Sequence, residues 1–209
     1  MDENYDTAFL DQLASGNPTP GGGSASSFTA AESAALVAMV ARTTTGKKKY
    51  QSVENEIAET IEKAESWRAE LQKNIQRDAM AFNAIIQASR LPKNTPQEES
   101  DRKEALQKSY LQAAEIPLDI AAITIKVMAA AVRLAEIANL NAIADAAAAA
   151  ALARAVITIS KNNIKINLKG LPENLRAREI LSEILEIVSQ SEQLNLQMIR
   201  CLEARGGIS

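Results

Sequence analysis

Long runs of strong helix formers, broken at a few clusters of glycine and proline, decide what this chain can fold into. Ala, Leu, Glu, Lys and Gln dominate between the breaks, and these residues lose little on entering a helix. The one alternating run, Ile164–Leu168, is isolated, and a lone strand cannot make a sheet. The punctuation predicts helices over Asn4–Leu13, Ser24–Arg42, Lys48–Ser89, from a Thr95–Glu98 cap to Ala138, over Ala142–Ser160, and over Glu173–Glu203. Between them, Asn17–Gly23 reads as a loop, Pro117 as a kink, and Lys161–Pro172 as irregular. No linker forces a boundary, so residues 1–209 read as one all-α domain, an antiparallel bundle of long helices.

Composition sharpens this expectation. Only 3% of the residues are aromatic, so each alanine-rich helix face buries little area at about 25 cal/mol per Å². Such a bundle gains burial by self-association, and a homodimer or larger is expected, with Ala142–Ser160 inside the bundle or at the interface. The least charged stretches still carry Glu32 and Asp145 and are rich in Ala and Ser, so no membrane span is expected. The net charge of −3 gives no reason to expect nucleic-acid binding. An acidic start at Asp2 and Glu3 resembles no leader, and a cytoplasmic location is expected.

The chain has no histidine and one cysteine, Cys201. That excludes a histidine-based triad, a histidine zinc site and a cysteine-cluster metal site, and no metal is expected. Proton transfer must come from carboxylates, lysine, tyrosine, the lone thiol or water.

Five places carry candidate chemistry. In Pro18-Thr19-Pro20-Gly21-Gly22-Gly23-Ser24, three glycines allow close backbone approach before a helix, fit to cradle an anion or a flat ligand edge; a flexible turn with Ser24 as N-cap is the alternative. In Gly46-Lys47-Lys48-Lys49-Tyr50, three cations at a helix start oppose the macrodipole, as expected if they face an anion rather than solvent. It is no P-loop, because Ala41 and Lys48 stand where that motif needs Gly and Ser or Thr. Asp145, the one charge in an alanine run, suits a general acid or base if buried, or else decorates the first turn of a helix capped by Asn139 or Asn141. Asp78 sits at an apolar edge with Phe82 one turn on, where a structural salt bridge is the commoner role. Asn163 and Asn167, in a polar cluster, supply donors and acceptors for a heterocycle edge, or simply make a turn.

Taken in order, Pro18–Ser24, Thr45–Tyr50, Asp78-Ala79-Met80-Ala81-Phe82, Leu91–Thr95, Pro117-Leu118, Asn139–Ala146 and Asn163–Leu168 resemble the cyclodeaminase/cyclohydrolase family of folate enzymes over nearly the whole chain. The resemblance implies an all-α dimer acting on a one-carbon unit between N5 and N10 of tetrahydrofolate. The implied activity is methenyl-tetrahydrofolate cyclohydrolase; formimino-tetrahydrofolate cyclodeaminase and a non-catalytic folate-binding dimer are the alternatives. It implies Asp145 and then Asp78 as catalytic carboxylates, and Lys47, Lys48 and Lys49 holding the glutamate tail of a folate, polyglutamylated or not. Tyr50 would contact the ligand, Asn141, Asn163 and Asn167 would bind it, and Pro20, Gly21, Gly22, Gly23 and Ser24 would form a wall. The folate derivative is the substrate, and no tightly bound cofactor is implied. One departure stands out: Ala147–Ala150 occupy positions where the family commonly has glycine, so added methyls are expected to narrow a helix crossing or the pocket.

Overall fold

The computed structural model describes residues 7–208, and no strand occurs among them. Six α-helices follow in order: α1 (Thr7–Ala14), α2 (Gly22–Arg42), α3 (Glu54–Ser89), α4 (Pro96–Ile137), α5 (Ile143–Leu168) and α6 (Leu175–Cys201). Part of the first expected helix, Asn4–Asp6, lies outside the described residues.

Helix α2 is the centre of the fold and packs on α3, α4 and α5. Small side chains let its neighbours come close: Ala30, Ala34 and Ala41 are fully buried, as are Ser24, Ser27 and Ser33. The buried hydroxyls are satisfied by backbone carbonyls of other helices. Ser27 donates to the Leu71 carbonyl of α3 at 2.7 Å and Ser33 to the Ala149 carbonyl of α5 at 2.8 Å. Each such bond removes the desolvation cost of a buried hydroxyl and fixes the register of α2 against one neighbour. Where α2 ends, Asn139 ties the chain entering α5 back to it. The Asn139 N–H donates to Thr44 Oγ1 at 3.0 Å and its Nδ2 to the Thr43 carbonyl at 3.2 Å.

The helix starts differ from expectation in three places. Helix α2 begins at Gly22 with Gly21 as a cap lacking any side-chain bond, so Gly22 and Gly23 are helical and Ser24 is not the N-cap. The lysines do not open α3: Lys48–Val53 form a short 3₁₀ helix, and α3 begins after it with Glu54 and Glu56 in its first turn, where the dipole favours them. The stretch from Lys161 is not irregular but helical to Leu168. Its alternation misleads, because Ile164 and Leu168 are one helical turn apart and share the face that packs with Ile180 and Ile184 of α6.

Helix α4 begins as expected. Thr95 Oγ1 accepts from the Glu98 N–H, while Glu98 Oε2 accepts from the Thr95 N–H, each at 3.2 Å, making a capping box with Pro96 behind it. The helix then runs through Pro117 without ending. Replacing Thr95 by Ala is expected to lower the unfolding free energy by about 1 kcal/mol in a denaturant titration.

Candidate active site

Four segments meet where the start of α2 faces the middle of α3, the middle of α4 and the last turns of α5. They enclose a cavity of about 500 Å³ lined by Pro18, Thr19, Gly21, Gly22 and Gly23 on one side, Asp78, Phe82 and Ile86 on another, and Tyr110, Pro117, Asn163 and Asn167 opposite. That volume suits a small heterocyclic ligand.

Asp78 is its one ionisable carboxylate. It is half-buried, and Ser24 Oγ donates to its Oδ2 at 2.8 Å. A Cβ placed on Gly23 would lie 2.0 Å from Asp78 Oδ1 and 2.5 Å from Cγ. The carboxyl therefore rests directly on the Gly23 backbone, at the positive end of α2. Burial pushes the Asp78 carboxyl above its usual range, opposed by the hydroxyl and backbone N–H of Ser24. The salt bridge expected for Asp78 is made by its neighbour instead, since Arg77 pairs with Asp119 at 2.9 Å. A carboxyl raised by burial and held by donors is suited to proton transfer.

The amides come from α5. Asn163 and Asn167 are one turn apart and line the same cavity. Asn167 Nδ2 donates to the Ala113 carbonyl at 3.0 Å. Tyr110, Ile85, Ile86 and Ile166 also line the cavity and were not singled out from sequence. Tyr110 carried the one available signal, as one of only three tyrosines.

The remaining candidates lie elsewhere. Lys47–Lys49 are exposed and make no ion pair among the described residues, and Lys47 and Lys48 line a separate surface hollow with Gln51 and Glu54. They follow the far end of α2, about 30 Å from Gly22 at 1.5 Å per residue. Tyr50 is buried there, its hydroxyl accepting from the Leu140 N–H at 3.3 Å. Asp145 stands in the first turn of α5, about 27 Å along that helix from Asn163, and Asn141 is exposed just before it. Within one chain, then, Asp145, Asn141 and Lys47–Tyr50 are grouped at the opposite end from Asp78. Pro20 adjoins the loop without lining the cavity, and Ser24 lies beneath its wall. Ala147–Ala150 do not line the cavity either: Ala149 and Ala150 are buried in the core and Ala148 is exposed, so their methyls do not narrow this pocket. Among the described residues no cluster of three acidic, histidine or cysteine side chains could hold a metal.

The sequence profile of the formiminotransferase-cyclodeaminase family matches residues 6–186. The chain belongs to that family. It is 38% identical over 94% of its length to a methenyltetrahydrofolate cyclohydrolase of Methylorubrum extorquens, covering 95% of that protein. It is 30% identical to the formimidoyltransferase-cyclodeaminase of Rattus norvegicus, spanning 37% of that longer protein. Its fold matches the crystal structure of a formiminotetrahydrofolate cyclodeaminase from Thermotoga maritima, with a TM-score of 0.86, 31% identity and 96% of each chain covered.

The pH dependence of stability follows from Asp78. A carboxyl whose folded-state value is raised stabilises the fold below the ordinary aspartate range and loses that contribution as pH rises through the raised value. Asp78→Asn removes the buried charge. Its thermal midpoint is expected to exceed the wild type's at pH 7, with the gap closing as pH falls towards about 4, the ordinary aspartate value.

Proposed function

We propose that the protein is a folate one-carbon enzyme that interconverts 5,10-methenyl-tetrahydrofolate and 10-formyl-tetrahydrofolate, with Asp78 as its acid–base group. The observation that carries this reading is the Asp78 carboxyl set on the Gly23 backbone inside the cavity. The methenyl substrate is a cation, and a carboxylate beside it is an electrostatic partner as well as a base. Water adds to the methenyl carbon and gives one proton to Asp78, leaving a neutral hydroxyl adduct. The bond from that carbon to N5 then breaks. Asp78 returns its proton to N5, the adduct hydroxyl loses its own proton to solvent, and the formyl group remains on N10. The balance is one water consumed and one proton released.

The relationship to a cyclohydrolase covered over almost its full length supports this choice. The cyclodeaminase is the second reading, favoured by the structural match to the Thermotoga maritima protein. There N10 attacks a formimino carbon and ammonia leaves, and the same carboxyl can move the protons. Two assays separate them: loss of the near-ultraviolet absorbance of methenyl-tetrahydrofolate, and its appearance from the formimino compound. Hydrolysis of the methenyl compound is expected, with Asp78→Asn slowing it by about 10²–10⁴-fold. Full activity in that variant would sink the role given to Asp78.

The same reading includes an antiparallel bundle that works as a homodimer in the cytoplasm. Two features support self-association. The stretch Leu140–Leu168 is apolar enough to cross a membrane, yet only 44% of its most apolar 18-residue window is buried within the chain. Ala144, Ala148, Ala151 and Ala155 of α5 and Ala35 and Met39 of α2 form exposed small or apolar faces on these neighbouring helices. A copy packed head to tail on this face, about a twofold axis near Ala151, would bring its Lys47–Lys49 and Asp145 end to the Asp78 cavity. That would restore the tail-holding role of the lysines, which the cavity lining itself does not supply. Asp145 and Asn141 would then stand at the mouth of the partner's cavity, with Tyr50 buried behind them.

Mixing tests this arrangement. Asp78→Asn and a Lys47, Lys48 and Lys49 to Ala triple variant are each expected to lose most activity. Equal mixtures, allowed to exchange subunits, are expected to recover about a quarter of wild-type turnover, because half the dimers then hold one intact site. A monomeric mass in solution scattering, or no recovery in mixtures where mixed dimers are isolated, would refute it.

A further inference from the structure

A proline inside a helix has two local consequences. It lacks the N–H that would bond to the carbonyl four residues earlier, and its ring crowds that carbonyl. In α4 the proline is Pro117, and the carbonyl it leaves without its helical donor is that of Ala113. That carbonyl is not idle: it accepts from Asn167 Nδ2 of α5 at 3.0 Å. Ala113, Pro117 and Asn167 all line the Asp78 cavity.

The chemistry fixes which way the amide points. A carbonyl only accepts, so the nitrogen of Asn167 must face Ala113 and the oxygen must face away. No bond among the described residues engages that oxygen. A half-buried asparagine would otherwise turn its amide to suit whatever approached. Here the bond to Ala113 holds it, with its acceptor unpaired among the described residues.

We propose that Pro117 is a positioning residue for Asn167: by freeing the Ala113 carbonyl it fixes the Asn167 amide so that Oδ1 accepts from an N–H edge of the bound heterocycle. The inference rests on the folate reading for the identity of that heterocycle, an aminopyrimidinone whose ring N–H and amino group are donors. Asn163, one turn before on the same helix, is not fixed in this way and remains free to donate or accept.

The device sets a specificity. A ligand offering a donor at this edge gains a hydrogen bond, and one offering a methyl or an acceptor leaves Asn167 Oδ1 unpaired. It also explains a proline in the middle of a long helix, where it otherwise only weakens the backbone.

Pro117→Ala restores the helical donor to Ala113 and competes for its carbonyl. A merely structural role predicts one set of effects and positioning another. The variant is expected to melt at or above the wild-type temperature, because a helix-interior proline has been removed. It is nevertheless expected to bind tetrahydrofolate about 5- to 10-fold more weakly by calorimetry, the range of one ordinary hydrogen bond. Asn167→Ala should lose a similar factor, and the double variant should be no weaker than Asn167→Ala alone. The wild type should prefer tetrahydrofolate to its 2-desamino-2-methyl analogue, and Pro117→Ala should lose most of that preference.

Unchanged binding in Pro117→Ala, or losses that multiply in the double variant, would overturn the proposal. A ligand-free measurement separates it from the folate reading. The side-chain amide protons of Asn167, followed by nitrogen-15 NMR, should exchange slowly with solvent in the wild type and fast in Pro117→Ala. Fast exchange in both would overturn the positioning. Slow exchange in the wild type alone, together with no tetrahydrofolate binding by calorimetry, would overturn the folate reading and keep the Pro117–Asn167 device.

Discussion

Everything in the site depends on one close approach, that of the Asp78 carboxyl to the backbone at Gly23. No side chain can stand between them, because even a methyl would overlap the carboxylate oxygen. The approach sets the spacing of α2 and α3, and the neighbouring buried serines continue it: Ser24 bonds to Asp78 and Ser27 to the Leu71 carbonyl. With α2 fixed on α3, the Ser33 bond to Ala149 fixes α5 on α2, and the asparagines of α5 come to face Asp78 across the cavity. A helix of serines and alanines is a poor source of buried area. It is a good source of short interhelical distances, and this site is built from those.

The charge on Asp78 is set by a contest between two effects of the same geometry. Bringing the carboxyl under the apolar walls removes water and favours the neutral form. Placing it at the start of α2 brings the Ser24 hydroxyl and N–H, which favour the charged form. Burial wins, and the carboxyl is raised. A chain without histidine must place proton transfer on other side chains, and the partly buried Asp78 carboxyl is the one that lines this cavity.

The fold was legible in the sequence because helix formers, caps and breakers all agree: the Thr95–Glu98 box and Pro96 appear where expected. The errors arose where a local signal outweighed a tertiary one. Gly170 and Pro172 predict irregular chain over Lys161–Pro172, but Ile164 and Leu168 face α6, and that burial keeps the stretch helical to Leu168. Ser24 was read as a cap because serine favours that place; its hydroxyl instead crosses to Asp78, a partner 54 residues away. The cavity was half legible. Its glycines, Asp78 and both asparagines were named from sequence, whereas Tyr110, Ile85 and Ile166 were not, since an apolar wall has no motif. Asp145 stands alone among alanines along the chain, and within one chain it lies at the opposite end of α5 from this cavity.

Between the two groups of candidate residues at opposite ends of α2 and α5, the exposed stripe Ala144, Ala148, Ala151 and Ala155 of α5 carries only methyls, while Arg154 beside it and Glu32 and Arg42 on α2 are exposed charges. Charged residues there would be cheaper in solution, as on α6, where Glu179 and Glu183 pair with Arg176. Alanine permits the closest helix approach that still keeps helix propensity; glycine would permit closer contact but costs about 1 kcal/mol per residue in a helix interior. The Ala147–Ala150 run therefore gives a stiffer α5 whose Ala149 and Ala150 pack closely in the core. Stiffness matters to the site itself. Asn163 and Asn167 are placed by α5, and a helix that bent would move both amides away from Asp78.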